Sequence, residues 1–156
     1  LSVPVFQEQA PAPLSPLHEA EQSDTQVQMD GRARVLVADD HDVVRNSVVA
    51  LLAGEQMLAV VGEAADGREA VDLAQRLRPD IVVMDIRMPK MDGIQATRLI
   101  KEAFPETVVI GMSAFCEKGF RTAMLDVGVA ELLDKADADH TLVPTIVRCL
   151  AARNNR

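Results

Sequence analysis

Apolar positions along the chain follow two alternating patterns. Five short runs, Val35 to Ala38, Leu58 to Gly62, Ile81 to Asp85, Val108 to Met112 and Ala130 to Leu133, are continuous, and the central ones are rich in β-branched residues. Continuous runs of this length are expected of strands covered on both faces. After each run, apolar residues return at three- and four-residue spacing. The sets are Val44, Val48, Leu51 and Leu52; Ala70, Leu73, Ala74 and Leu77; Ala96, Leu99, Ile100 and Ala103; Phe120, Ala123, Met124 and Val127; and Leu142, Val143, Ile146, Val147 and Leu150. Each set is one stripe of an amphipathic helix.

Punctuation agrees with this division. Asp66 followed by Glu69 has the spacing of a capping box, Asp92-Gly93 reads as the turn into the third helix, and Asp40 or Asp42 is placed to cap the first. Pro79 and Pro105 come just after the second and third helices, and Gly128 is placed to close the fourth. Strand followed by helix, five times over, predicts an α/β fold: a doubly wound, five-stranded parallel sheet with right-handed crossovers and five helices on its two faces.

Composition divides the chain in two. Residues 1–31 carry Glu8, Glu19, Glu21, Asp24 and Asp30 with no Lys or Arg, together with Pro4, Pro11, Pro13, Pro16 and five Gln. Such a segment has too little apolar surface to offset its ordering entropy, and we expect a disordered, Pro/Gln-rich acidic linker or tail. Residues 32–156 are expected to form the folded domain. The 156-residue chain has a formal net charge of -8, which argues against direct nucleic-acid contact through a basic surface. No run of about 18 apolar residues is present, so no membrane contact is expected. Cys116 and Cys149 form neither a disulfide framework nor a metal spacing, which fits a reducing, cytoplasmic setting. The absence of Trp and Tyr leaves poor material for base stacking.

Parallel sheets of this kind gather chemistry outside the carboxyl ends of their strands. Strand one ends in Asp39-Asp40, strand three in Asp85, strand four in Ser113, and strand five near Lys135. Converging carboxylates repel and raise one another's pKa unless a cation lies among them. A hard divalent ion such as Mg²⁺ accepts oxygen ligands of this kind and leaves room for phosphate oxygens. With a hydroxyl and an ammonium opposite, the set suits phosphoryl transfer, with Asp85 attacking in line.

These residues resemble a response-regulator receiver domain over roughly 33–152. The signatures are Val35-Leu36-Val37-Ala38-Asp39-Asp40, Val83-Met84-Asp85-Ile86-Arg87-Met88-Pro89-Lys90-Met91-Asp92-Gly93, Met112-Ser113-Ala114 and Leu133-Asp134-Lys135. The Asp-Ile-Arg-Met-Pro stretch and the segment from Val61 are similar to the subfamily often joined to a helix-turn-helix output domain.

The resemblance implies a flavodoxin-like sheet of order 2-1-3-4-5. It makes Asp85 the phosphoacceptor for a phosphohistidine on a sensor histidine kinase or phosphotransfer domain. Asp39, Asp40, Asp85 and the backbone carbonyl of Arg87 would hold Mg²⁺, and Ser113 and Lys135 would contact the phosphoryl group. The mark would be relayed through the strand-four loop and helix four to an output domain or downstream protein at the helix-four to helix-five face. The chain would thus be a switch that assists its own phosphorylation and dephosphorylation, not an enzyme.

Several positions depart from the family pattern. Leu132 stands where many receivers have an aromatic switch residue, and Ser113 where Thr is commoner. Ala136 follows Lys135 in place of Pro, so a trans bond is expected there, because a cis bond without proline costs about 2.5–4 kcal/mol. Arg87 and Phe115 occupy the positions that tune phosphoaspartate hydrolysis, and we expect them to shield the mark from water. His41 reads as a loop residue at the rim of the site, and His18 and His140 have no assigned role.

An Asp-nucleophile phosphatase is the competing enzyme reading. Such enzymes generally carry a second Asp two residues after the nucleophile, where this chain has Arg87. A nucleotide or flavin site lacks its Gly-rich loop. The first residue is Leu, and the expected parent is a hybrid sensor kinase with this receiver at its C-terminus. A receiver cut from a DNA-binding response regulator is the alternative.

Overall fold

The structure, a computed structural model, describes residues 31–114 and 118–156, with Lys118 described by its backbone alone. The linker expectation for residues 1–31, His18, Phe115 and Cys116 lie outside the described residues, Gly31 excepted. Residues Arg32–Arg156 form one compact unit.

Strands and helices alternate: β1 (Ala33–Ala38), α1 (Asp42–Ala53), β2 (Leu58–Ala64), α2 (Gly67–Leu77), β3 (Ile81–Asp85), α3 (Gly93–Ala103), β4 (Val108–Ser113), α4 (Lys118–Asp126), β5 (Glu131–Asp134), a short 3₁₀ turn (Lys135–Asp137) and α5 (Ala138–Asn154). All strand pairs are parallel and the order is β2-β1-β3-β4-β5. Order therefore reverses between β1 and β3, which sets the ends of those two strands side by side at the switch point.

Alternation along each strand feeds two cores. Val35, Val37, Ile81, Val83, Ile110 and Met112 pack with Val48 and Leu52 of α1 and Leu142 and Ile146 of α5. Leu36, Ala38, Val82, Met84 and Val109 face the other way, onto Ala70 and Ala74 of α2, Ala96 and Ile100 of α3 and Met124 of α4. Each buried aliphatic side chain contributes about 1.5–3 kcal/mol by leaving water. Exposed stripe residues include Leu99, at 37%, and Ala103 on α3 and Val147, at 49%, on α5, so the apolar stripes of those helices are narrower than their spacing suggests.

The caps hold α2 and α3 in matching ways. Asp66 accepts from Glu69 N at 2.8 Å, and Asp92 accepts from Gln95 N at 2.8 Å. Glu69 reaches back to the amide of Ala65, one residue before the cap, at 2.8 Å. The first helix differs from expectation. Neither Asp40 nor Asp42 caps it; His41 is the N-cap, with no side-chain capping bond, and Asp42 is already helical. The reason lies in Asp39, whose carboxylate accepts the His41 amide at 2.9 Å and ties the loop to the sheet end instead. Gly128, at φ +99°, closes the turn after α4, a backbone conformation in which a Cβ is strained. Among the described residues no peptide bond is cis, so the Lys135–Ala136 bond is trans.

Candidate functional site

Four of the five strand ends deliver functional side chains. Asp39 and Asp40 follow β1, Asp85 is the last residue of β3, Ser113 the last of β4, and Lys135 opens the turn after β5. Because β1, β3, β4 and β5 are adjacent and in parallel register, these side chains converge on one sheet edge.

Lys135 is the hub. Its Nζ lies 2.8 Å from Asp39 Oδ2 and 3.1 Å from Asp85 Oδ1. Burial alone would lower its pKa; the hydrogen bond to Asp39 and the charges of Asp85 and Asp39 outweigh that and raise it, so the ammonium stays charged. Asp85 is 4% exposed. Burial first, and the Asp39 charge second, push its pKa up to about 6 despite Lys135.

The carboxylate oxygens are unequally satisfied. Asp39 uses Oδ2 on Lys135 and Oδ1 on the His41 amide. Among the described residues, Asp85 Oδ2 and Asp40 Oδ1 are buried and have no hydrogen-bond partner. Two orphaned carboxylate oxygens in one place are costly in a folded protein unless something else binds there. Donor atoms of Asp39, Asp40, His41 and Asp85 all lie within 4.8 Å of one another. An oxygen-rich set of this size suits a hard divalent cation with bound water.

Beside the acids is a cavity of about 300 Å³ lined by His41, Asp85, Ile86, Arg87, Ser113, Ala114 and Lys135. Asp85, Ser113, Lys135 and Arg87 thus share one opening. Arg87 is exposed, and its guanidinium lies 4.9 Å from the centre of the Phe120 ring on α4. Leu132 is buried among Met124, Val129 and the backbone of Gly111, the residue two before Ser113.

Sequence reasoning missed two supports. Arg45 on α1 donates to Asp39 O at 2.7 Å and to Asp42 Oδ1 at 2.6 Å, and reaches Glu63 Oε1 at 3.3 Å, so it fastens the acidic loop to the ends of β2 and α1. Gly93 gives its amide to Ile86 O at 2.7 Å, and a Cβ there would fall 2.0 Å from Asp85 O. The signal for Gly93 was present: Asp-Gly opens α2 and α3 alike, and Gly67 is pressed against Met91 O in the same way. The only local mark on Arg45 was Asp42 three residues before it; Asp39 O and Glu63 lie outside its helix.

Comparison with known proteins identifies the fold's family. The family model of the response regulator receiver domain matches residues 35–147. A protein-glutamate methylesterase/protein-glutamine glutaminase of Myxococcus xanthus is 47% identical over 104 residues, covering 65% of this chain and 29% of that protein. Response regulator GacA of Pseudomonas viridiflava is 40% identical over 102 residues, covering 65% of this chain and 48% of that one. The crystal structure of a LuxR-family two-component response regulator from Aurantimonas sp. SI85-9A1 superposes with a TM-score of 0.74 at 34% identity, covering 78% of this chain and 87% of that one. The chain spans 28% to 56% of the length of such curated relatives. With a family model matching residues 35–147, most of the folded unit, the chain belongs to the response regulator receiver domain family.

Proposed function

We propose that this receiver is a phosphorylation-dependent switch with Asp85 as phosphoacceptor. The observation that carries the reading is Asp85 itself: one oxygen is held by Lys135 at 3.1 Å, while the other is buried without a partner beside a cavity that Ser113 also lines. The free oxygen is the nucleophile. It attacks phosphorus in line, the bond from phosphorus to the donor imidazole nitrogen breaks, and the imidazole keeps that electron pair. Lys135 leaves the ionised pair with Asp85 and follows the phosphoryl oxygens, and the Ser113 hydroxyl donates to another. Asp39 keeps the His41 amide on Oδ1 while Lys135 turns toward the phosphoryl group.

Asp39, Asp40, Asp85 and the Arg87 carbonyl are the proposed holders of Mg²⁺, and the orphaned oxygen of Asp40 fits that role. When bound, the ion neutralises carboxylate and phosphoryl charge.

The proposed relay runs through the loop after β4 and α4. Leu132 already fills the space beside Gly111, and no aromatic ring is available there to swing. The Arg87–Phe120 contact offers this chain another link from the residues beside Asp85 to α4. Arg87 is also proposed to screen the acyl phosphate; its companion Phe115 lies outside the described residues.

The proposed donor is a sensor histidine kinase or phosphotransfer domain, the proposed output surface the α4–α5 face, and the proposed compartment the cytoplasm. Among the described residues no helix is long and apolar enough to cross a membrane. A hybrid sensor kinase is one parent architecture. Similarity to GacA and to a LuxR-family regulator favours the other, a receiver joined to a separate output domain.

The test is NMR with Mg²⁺ and beryllofluoride. Amide shifts are expected at Asp85, Ser113 and Lys135 and along α4, all absent in Asp85→Asn. Equal shifts in that variant would overturn the assignment.

A further inference from the structure

Phosphoryl transfer as described leaves the His41 imidazole without a task. Its backbone is fixed: the amide donates to Asp39 Oδ1 at 2.9 Å, and the residue caps α1 without using its side chain. The imidazole turns toward the acids, with Nδ1 3.1 Å from Asp40 Oδ1 and 3.4 Å from Asp39 Oδ1. Yet Asp40 Oδ1 has no hydrogen-bond partner among the described residues, so the contact is one of proximity and not of a formed bond. Donors around a six-coordinate cation with bonds of about 2.1 Å stand roughly 3 Å apart when adjacent and 4.2 Å when opposite. His41 Nδ1, 3.1 and 3.4 Å from the two acids, stands near the adjacent spacing, and the donor atoms of Asp39, Asp40, His41 and Asp85 all lie within 4.8 Å of one another. Asp85 supplies an independent sign of a ligand, since it is 4% exposed and its Oδ2 is unpartnered.

We propose that His41 is a nitrogen ligand of the cation site and biases it toward Mn²⁺ and the later first-row divalent ions over Mg²⁺. The inference rests on the cation-site reading above and adds cation selectivity to it. Imidazole suits the transition ions, whereas Mg²⁺ prefers oxygen and retains its waters. Neutral imidazole also adds a donor without adding a charge to a pocket that already holds three carboxylates against Lys135. The side chain is 68% exposed, so it can close onto an entering ion without disturbing the core.

The experiment uses the full chain with Mn²⁺ alone, read by pulsed EPR and by competition with Mg²⁺. Nitrogen modulation of the bound Mn²⁺ signal is expected. It should vanish in His41→Ala and His41→Gln and persist in His140→Gln. Mn²⁺ affinity should fall about tenfold in the His41 variants, the scale on which groups around a metal tune it. Mg²⁺ affinity should change less than about twofold. Bound Mn²⁺ without nitrogen modulation, or modulation that survives both His41 substitutions, overturns the inference and leaves the cation site standing. Failure of the wild-type chain to bind Mn²⁺ or Mg²⁺ at all overturns both.

Discussion

Asp85 is the residue on which stability and chemistry pull in opposite directions. Burial and the Asp39 charge raise its pKa to about 6, above the ordinary carboxylate value of the unfolded chain. The folded state therefore binds a proton that the unfolded state has released. Stability falls as pH rises from about 4 to about 6 and stays lowered above that. Asp85→Asn removes the penalty. In the absence of divalent ions it should raise unfolding free energy at pH 7.5 by roughly 1–2 kcal/mol, after allowance for solvent screening. The gain should shrink toward zero near pH 4. Denaturant titration at the two pH values checks this, and Mg²⁺ should narrow the gap by stabilising the wild type alone.

At the level of elements, the site depends on how α2 and α3 begin. Asp66 is held below the usual carboxylate range chiefly by the Glu69 amide, with Lys90 3.4 Å away adding to the effect against burial. Its contribution is present above the ordinary carboxylate pKa and is lost as pH falls through the lowered value. Asp66→Ala should cost about 1 kcal/mol at neutral pH and less in acid, seen as a lower denaturant midpoint with an unchanged slope. Gly93→Ala should be more severe, because its Cβ meets Asp85 O at 2.0 Å and the β3–α3 backbone must move. A loss of about 3 kcal/mol or more, or a displaced Asp85 amide resonance, is the expected result.

These elements also show what the sequence made legible. Strands were readable because Ile81–Asp85 and its neighbours are buried on both faces and therefore uninterrupted. Caps at Asp66 and Asp92 were readable because their partners lie three residues on. The start of α1 was not, since Asp39 is held by Lys135, a residue distant in sequence whose position depends on the whole sheet. Exposure of Leu99 and Val147 was equally hidden, because a stripe's spacing says which residues share a face but not how wide the covering surface is.

Across the whole molecule, the strand order turns four separate motifs into one pocket. The acids, Ser113 and Lys135 were legible as a set through family resemblance and strand-end position. Gly93 was legible as a turn residue but not as one pressed on Asp85 O, and the Arg45 bridge and the Arg87–Phe120 contact came only from the tertiary arrangement. If that contact carries the signal, Phe120→Ala should leave phosphorylation at Asp85 intact and reduce the beryllofluoride-induced amide shifts of α4 by about half. Such a variant removes a cation–π contact of about 0.5–1 kcal/mol together with the packing of a half-buried ring against the core. Unchanged α4 shifts would place the relay elsewhere. The decisive measurement is to treat the chain with acetyl phosphate and Mg²⁺, reduce the acyl phosphate with borohydride, and map the product by peptide mass spectrometry. Homoserine at position 85, absent when Mg²⁺ is chelated although the fold persists, is the expected result. Homoserine at another carboxylate, or the same yield at position 85 without the cation, would contradict it.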